Sequence, residues 1–130
     1  MDYLPYILLA VVGFVVAMQL RLYFSAKRAQ GKPAPDFVDL LNDNQREMPV
    51  LLFYFHSEYC GPCRRMTPAV EQLATQTGAV IVVDVGHNPE PALRFGVRVT
   101  PTMMRVSNGI IEKVVVGEVG DEKLKQLLVS

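Results

Sequence analysis

The stretch HSEYCGPCRRM, residues 56–66, contains both cysteines of the chain and directly follows the apolar run VLLFYF at residues 50–55. A continuous apolar run of this length is typical of a central strand covered on both faces. The residues after Cys60 have the spacing of an amphipathic helix. Cys60 is therefore expected where a strand ends and a helix begins. Unpaired N–H groups and the helix dipole favour an anion there, and a thiolate is the reactive form of cysteine.

The spacing of the two cysteines is also informative. Cys63 lies one helical turn after Cys60, on the same face of the predicted helix. Pro62 suits the first turn because it lacks an N–H that would be unpaired there, and Gly61 permits a tight entry to the turn. Cys60 can thus form a mixed disulfide with a substrate protein, and Cys63 can then release the reduced substrate. The motif predicts thiol–disulfide exchange.

Two other interpretations of the cysteine pair are weaker. A structural zinc site needs four ligands, which His56 and His87 could complete together with Cys60 and Cys63. Such sites use two separated pairs of ligands, and no second paired motif is present. Two inert buried thiols are the remaining alternative. We therefore expect no metal and no cofactor beyond a redox-active Cys60–Cys63 disulfide.

The chain has 130 residues and no net charge, which argues against a nucleic-acid partner. The stretch Leu4–Leu20 contains no charged residue, and seventeen helical residues span about 25 Å. This predicts a transmembrane helix, with tyrosines near both ends. A cleaved signal peptide is the main alternative, although Met1-Asp2-Tyr3 lacks the basic residue that such a peptide needs. A buried core helix is a third alternative.

Basic residues follow the predicted span, at Arg21, Lys27, Arg28 and Lys32. The positive-inside rule then places the rest of the chain in the cytoplasm, with a periplasmic or other extracytoplasmic location as the alternative. We expect three segments: an anchor with its basic flank at 1–28, a stiff linker at 29–35 that includes GKPAP, and a globular domain at 36–130.

The globular part has the pattern of an α/β domain with a mixed sheet and helices on both faces. The pair Asn108-Gly109 is a strong hairpin signal between two predicted strands. The predicted elements, in order, are a short helix after Asp36, a strand at 50–55, a helix from Cys60 to Thr75, a strand at 79–85, a helix at 89–95, strands at 102–107 and 110–116, and a last helix after Asp121. Asp36 and Asp121 are expected to cap the helices that follow them, and Pro68 to bend its helix. Leu124, Leu127 and Leu128 of the last helix are expected to point inward.

The globular part resembles the thioredoxin family from about Phe37 to Leu128. The resemblance rests on FYFHSEYCGPC at 53–63, GVRVTPT at 96–102 and VVVGEVG at 114–120. It implies a thioredoxin-like fold with a mixed central sheet of four or five strands. The family's first strand has no counterpart before Phe37, so the strand at 79–85 becomes a sheet edge. The linker, the membrane surface or a partner chain is expected to cover that edge.

The resemblance also implies roles for individual residues. Cys60 corresponds to the exposed nucleophile and Cys63 to the resolving cysteine. Pro101 matches the family's cis-proline, which faces the dithiol and lets the Thr100 backbone pair with an extended substrate. Gly117 matches a glycine that keeps the neighbouring surface open. Tyr59 stands where the family usually has tryptophan and still offers a flat contact surface.

The buried ionic pair of the family is missing. Tyr54 occupies the position of the buried aspartate, and Val82 that of its lysine partner. A tyrosine with a pKa near about 10 is a poor base at neutral pH. Proton transfer from Cys63 is then expected to use water, Glu58 or His56, and to limit the resolving step.

These observations predict a membrane-tethered enzyme that reduces disulfide-containing protein substrates. A thioredoxin reductase or a membrane thiol relay would supply its electrons. An extracytoplasmic oxidase, isomerase or cytochrome-maturation reductase is one alternative. A redox-inert scaffold that binds partners through the Pro101 groove or the bare strand edge is another.

Overall fold

A computed structural model of the chain describes residues 2–28 and 30–129. From the first strand onward the predicted order of helices and strands is confirmed, and before it the structure has a 3₁₀ turn and a further helix, α2 at Asp43–Arg46. The elements are α1 Leu4–Lys27, a 3₁₀ turn Val38–Leu40, α2 Asp43–Arg46, β1 Val50–His56, α3 Gly61–Thr77, β2 Val80–Asp84, α4 Glu90–Phe95, β3 Thr102–Ser107, β4 Ile110–Val116 and α5 Asp121–Val129.

The four strands form one mixed sheet in the order β2-β1-β3-β4. Strands β1 and β2 are parallel, with Leu52 opposite Val80. Strands β1 and β3 are antiparallel, with Phe55 opposite Thr102. The C-terminal end of β1 and the N-terminal end of β3 therefore lie next to each other at one end of the sheet.

Helices cover both faces of the sheet because the side chains of β1 alternate between them. Phe53 and Phe55 point to one face, where Phe95 of α4 packs against both rings at centroid distances of 4.9 and 5.5 Å. Leu52 and Tyr54 point to the other face. There they pack in a second cluster with side chains of α3 and α5, among them Met66, Val70, Leu73, Leu124 and Leu127.

The segment predicted as a stiff linker is bonded to the sheet. The Gly31 N–H donates to the Ile111 carbonyl at 2.7 Å, and the Ile111 N–H donates to the Lys32 carbonyl at 2.9 Å. The Ala34 N–H donates to the Gly109 carbonyl at 2.8 Å. We call residues 31–34 the strap. Ala29 of the predicted linker lies outside the described residues.

The strap runs along β4, so the linker, one of the three candidates for covering the β2 edge, does not cover it. In the described ranges, 2–28 and 30–129, no fifth strand pairs with β2, as expected from the missing first strand. Val82 on this edge is 40% exposed. Pairing with the strap gives partners to N–H and carbonyl groups that the edge strand β4 would otherwise leave free.

Helix α1 is longer than the predicted span. Pro5 lies in its first turn, where proline is well tolerated. The segment Leu4–Ser25 has a mean hydropathy of 2.1, and none of its residues is fully buried. By length and composition this helix could cross a membrane, and a signal sequence has the same properties.

Several element boundaries differ from prediction. Helix α3 begins at Gly61 rather than Cys60 and ends at Thr77 rather than Thr75, and its C-cap residue Gly78 has a φ of +69° that suits glycine. Asp36 precedes only a 3₁₀ turn, where its carboxylate accepts a hydrogen bond from the Val38 N–H at 3.2 Å. Asn42 and Gln45 instead form a reciprocal capping box on α2, a pair that sequence reasoning missed.

Candidate active site

Cys60 is the N-cap residue of α3, in extended conformation with φ −94° and ψ 113°. Its sulfur accepts a hydrogen bond from the Cys63 N–H at 3.2 Å. The two residues form a disulfide, with their Cα atoms 5.2 Å apart. Cys63 is buried with 1% exposure, whereas Cys60 is only partly buried. An incoming reactant therefore reaches the sulfur of Cys60 before that of Cys63.

The residues around the disulfide lie as the sequence predicts. Gly61 and Pro62 are the first two residues of α3, where the missing proline N–H leaves no donor unpaired. Tyr59 is 85% exposed beside Cys60 and offers its ring to solvent. The Arg64 guanidinium donates to the Glu58 carbonyl at 2.9 Å, which ties the loop before Cys60 back to α3.

The predicted cis-proline is present, at the Thr100–Pro101 bond. Thr102 pairs with Phe55 near the end of β1. The loop that contains Pro101 therefore lies at the same end of the sheet as the segment that leads from β1 to Cys60. The Gly117 N–H donates to the Pro101 carbonyl at 2.9 Å. Gly117 has φ +97°, and no atom lies within 4 Å of the position that a Cβ would occupy there. Space beside this glycine is thus open.

Hydrogen bonds of the Tyr54 and Thr67 hydroxyl groups are found where the resemblance places the family's buried aspartate. The Thr67 hydroxyl donates to the Cys63 carbonyl at 2.7 Å. The Tyr54 hydroxyl also donates to this carbonyl, at 3.2 Å, and lies 3.1 Å from the Thr67 oxygen. Burial raises the pKa of Tyr54, although the hydrogen bond with Thr67 acts against this. The phenol stays protonated at neutral pH.

Val82 stands at the position of the lysine in the family's ionic pair, and the sheet register shows where it lies. Tyr54 is directly paired with Val82 across β1 and β2. The two positions named from the resemblance are therefore neighbours, and neither carries a charge. Neither of these two positions therefore holds an unpaired ion, which is the expected condition for losing both members together.

Within the described ranges, the side chains of His56 and Glu58 make no hydrogen bond to Cys60 or Cys63. The His56 ring stacks on the Tyr54 ring, with centroids 5.2 Å apart and planes 11° apart. The Glu58 side chain makes no hydrogen bond to a residue that the structure describes. Their roles stay a prediction.

An ion pair that sequence reasoning missed lies at the end of β2. His87 Nδ1 is 2.8 Å from the Asp84 carboxylate. The hydrogen bond to Asp84 and its charge raise the pKa of His87, and the Glu58 charge acts in the same direction. Asp84 pairs with His56 in the parallel register. An aspartate at the end of a strand with a histidine three residues later was the available signal.

No group of three or more histidine, cysteine or acidic side chains within the described ranges has the arrangement of a metal site. His87 is engaged with Asp84, and the sulfurs of Cys60 and Cys63 are joined to each other.

Comparison with known proteins extends these observations. The sequence profile of the thioredoxin family matches residues 34–130. The chain is 37% identical over 73 residues to a thioredoxin of Rhodospirillum rubrum, covering 54% of this chain and 70% of the relative. It is 35% identical over 85 residues to thioredoxin 1 of a Nostoc species, covering 63% and 78% of the two chains.

Solved structures are also similar to this chain. A mutant thioredoxin from Halobacterium salinarum superimposes with a TM-score of 0.61 at 33% identity, covering 77% of this chain and 88% of that one. Thioredoxin of Fasciola hepatica gives a TM-score of 0.56 at 30% identity, covering 66% and 84%.

The fold and the cysteine pair together define a protein-disulfide oxidoreductase. The chain belongs to the thioredoxin family, with the family domain beginning near the strap and helix α1 preceding it.

Proposed function

We propose that this protein is a membrane-tethered reductase that transfers two electrons from Cys60 and Cys63 to disulfides of other proteins. The observation that carries the proposal is the position of the Cys60 sulfur at the start of α3, where it accepts the Cys63 N–H. In the reduced protein, this donor and the helix dipole stabilise the Cys60 thiolate.

The reaction follows in two exchanges. The Cys60 thiolate attacks one sulfur of the substrate disulfide, which forms a mixed disulfide and releases the other substrate sulfur as a thiolate that takes up a proton. Cys63 then loses its proton and attacks the Cys60 sulfur. The second substrate sulfur leaves, so the substrate has gained two electrons and the protein carries the Cys60–Cys63 disulfide.

Burial separates the two cysteine roles. Cys63, at 1% exposure, cannot reach a substrate in solution but lies one helical turn from Cys60. Exposed Tyr59, the backbone of Thr100 and the open space at Gly117 form the surface on which an extended substrate segment would lie. Backbone pairing of this kind binds a substrate through its main chain and so accepts many sequences.

Helix α1 would hold the enzyme at a membrane. Arg21, Arg28 and Lys32 follow the apolar segment and favour a cytoplasmic domain. In that compartment a thioredoxin reductase would regenerate the dithiol. The tether would also raise the local concentration of the enzyme over membrane-associated substrates.

Trapping the mixed disulfide tests the catalytic proposal. A Cys63→Ser chain should accumulate covalent complexes with a disulfide substrate such as insulin, visible on non-reducing gels. A Cys60→Ser chain should form none and should not reduce insulin. Equal trapping by the two variants, or by neither, would contradict the assigned roles.

The location needs its own test. A reporter fused after residue 130 and active only in the cytoplasm should give signal in cells. Signal only from a reporter active outside the cytoplasm would refute the cytoplasmic placement.

A further inference from the structure

One face of helix α1 is turned toward the domain across a large cavity of about 910 Å³. Phe14 and Met18 line its apolar end, and Arg21 and Arg28 line the other end of the same helix face. Arg98, in the segment between α4 and the cis-proline, lies on the opposite side of the cavity. The lining thus changes from apolar to cationic along the helix.

A second cavity of about 330 Å³ continues the first, because Ser25, Arg28 and Arg98 line both. It adds Lys32 from the strap and the side chain of Leu93, which is 75% exposed. Neither cavity has an acidic residue in its lining. We call Arg21, Arg28, Lys32 and Arg98 the basic cluster.

The basic cluster lacks protein anions. None of its four side chains makes a hydrogen bond or ion pair to a residue in the described ranges. Arg94, nearby in the second cavity, differs because its guanidinium binds both oxygens of Asp39, at 2.8 and 2.9 Å. Cations gathered without counter-charge repel one another, and a bound anion removes that repulsion.

We propose that these two cavities form a binding site for one anionic phospholipid. The phosphate would lie between Arg28 and Arg98, and an acyl chain would lie along Phe14, Met18 and Leu22. This inference rests on the proposed membrane location of α1. The cytoplasmic leaflet, which carries anionic lipids, would supply the ligand.

The chemistry of the lining favours a lipid over a free phosphate. The three guanidinium groups match phosphate oxygens in geometry as well as charge. Phe14, Met18 and Leu22 are spaced four residues apart, so they extend about 12 Å along one helix face. In a bilayer, acyl chains lie along that face of α1, so a lipid meets both the cations and the apolar side chains, whereas a free phosphate meets only the cations.

The site would connect the membrane with the catalytic domain. Arg98 is two residues before Thr100, in the segment that leads to the cis-proline. A lipid held by Arg28 and Arg98 would therefore fix the orientation of the substrate surface relative to the bilayer.

Native mass spectrometry of the full chain in a neutral detergent tests this inference. The chain would be titrated with phosphatidylglycerol, with phosphatidylcholine of the same acyl chains, and with glycerol phosphate. The variant pair Arg28→Gln/Arg98→Gln would be compared with Lys123→Gln/Lys125→Gln, which removes two exposed charges from α5 on the other face of the sheet.

We expect one phosphatidylglycerol to bind per chain and to be favoured over phosphatidylcholine. Affinity should fall about fivefold for each cation removed from the cluster, the factor that corresponds to roughly 1 kcal/mol per basic residue. The α5 variant should bind as the unaltered chain does. The single variants R28Q and R98Q serve if the double variant fails to fold, as judged by circular dichroism.

Three results would overturn the inference: equal binding of the two lipids, equal loss in both double variants, or binding of glycerol phosphate as tight as that of the lipid. Insulin reduction by the same preparations reports on the proposed reductase activity separately. A chain that reduces insulin without binding the lipid would contradict only the lipid site.

Discussion

The hydroxyl of Tyr54 lies 3.2 Å from the carbonyl oxygen of Cys63 and donates a hydrogen bond to it. Thr67 donates to the same oxygen at 2.7 Å. The resolving cysteine is thus fixed through its main chain by two neutral hydroxyl groups. Because burial raises the pKa of Tyr54, this phenol cannot accept the Cys63 proton at neutral pH.

Replacing Tyr54 by aspartate should accelerate the release of substrate. A carboxylate buried at this position would have a raised pKa and could accept the Cys63 proton near neutral pH. We expect the mixed disulfide to resolve about tenfold faster. The chain should also lose about 3 kcal/mol of stability, because the ring leaves a cavity and Val82 offers no counter-charge.

Stopped-flow measurement of the resolving step checks this prediction. Tyr54→Phe is the matched control, since it removes the hydroxyl and adds no base. It should leave the rate near that of the unaltered chain and cost about 1 kcal/mol of stability. An unchanged or slower rate in Y54D would contradict the idea that proton transfer limits resolution.

The Asp84–His87 pair should make stability depend on pH. Because the pKa of His87 is raised in the folded protein, its contribution is present below the unfolded pKa and is lost as pH rises through the folded value. Burial acts to raise the pKa of Asp84, but hydrogen bonds from His87 and the Gly86 N–H lower it overall. The contribution of Asp84 is therefore lost as pH falls through its folded value.

Thermal unfolding of His87→Gln across pH measures this effect. The difference in Tm from the unaltered chain should be largest between about pH 4 and 6.5, where both charges are present, and should shrink above that range. An Asp84→Asn/His87→Gln double variant should lose little more than the single variants at pH 5.5. A difference in Tm that is constant from pH 4 to 9 would rule out the charged pair as its cause.

Arg105 should be needed for the packing of α5. It is 8% exposed, and its guanidinium donates to the Leu127 carbonyl at 2.7 Å and to Glu112 at 2.9 Å. Arg105→Ala would leave that carbonyl buried without a partner. We expect a loss of about 3 kcal/mol in urea unfolding. Lys113→Ala, an exposed residue on β4, should change stability by less than about 0.5 kcal/mol.

The strap should protect the β4 edge. A chain that begins at Gln30 keeps the three strap hydrogen bonds, whereas one that begins at Asp36 lacks them. The shorter chain should be less stable by about 2 kcal/mol and should self-associate through its free edge. Urea unfolding and light scattering on the matched pair measure both effects. Equal stability and equal size would show that the strap hydrogen bonds are dispensable.

Much of the catalytic domain was predictable because its signals are local. The apolar run at 50–55, the glycine and proline between the cysteines, and Asn108-Gly109 each specify a short conformation through nearest neighbours. The cis bond at Pro101 and the pairing of positions 54 and 82 came from the family resemblance.

The missed features depend on residues that are far apart in sequence. The strap pairs with β4 across more than seventy residues, and proline-rich sequence alone favours a linker. The link between Tyr54, Thr67 and the Cys63 carbonyl needs a strand and a helix to be packed first. Arg105 lies in a predicted strand, but only the packing of α5 brings the Leu127 carbonyl within reach of its guanidinium.

The strap also determines how far the enzyme can reach. Residues 31–34 are bonded to β4, so only residues 28–30 separate the end of α1 from the domain and limit how far the two can move apart. If α1 lies in a bilayer as proposed, the disulfide would stay within a short distance of the lipid surface. Substrate proteins would then be selected by the distance of their disulfides from the membrane, before any side chain is recognised.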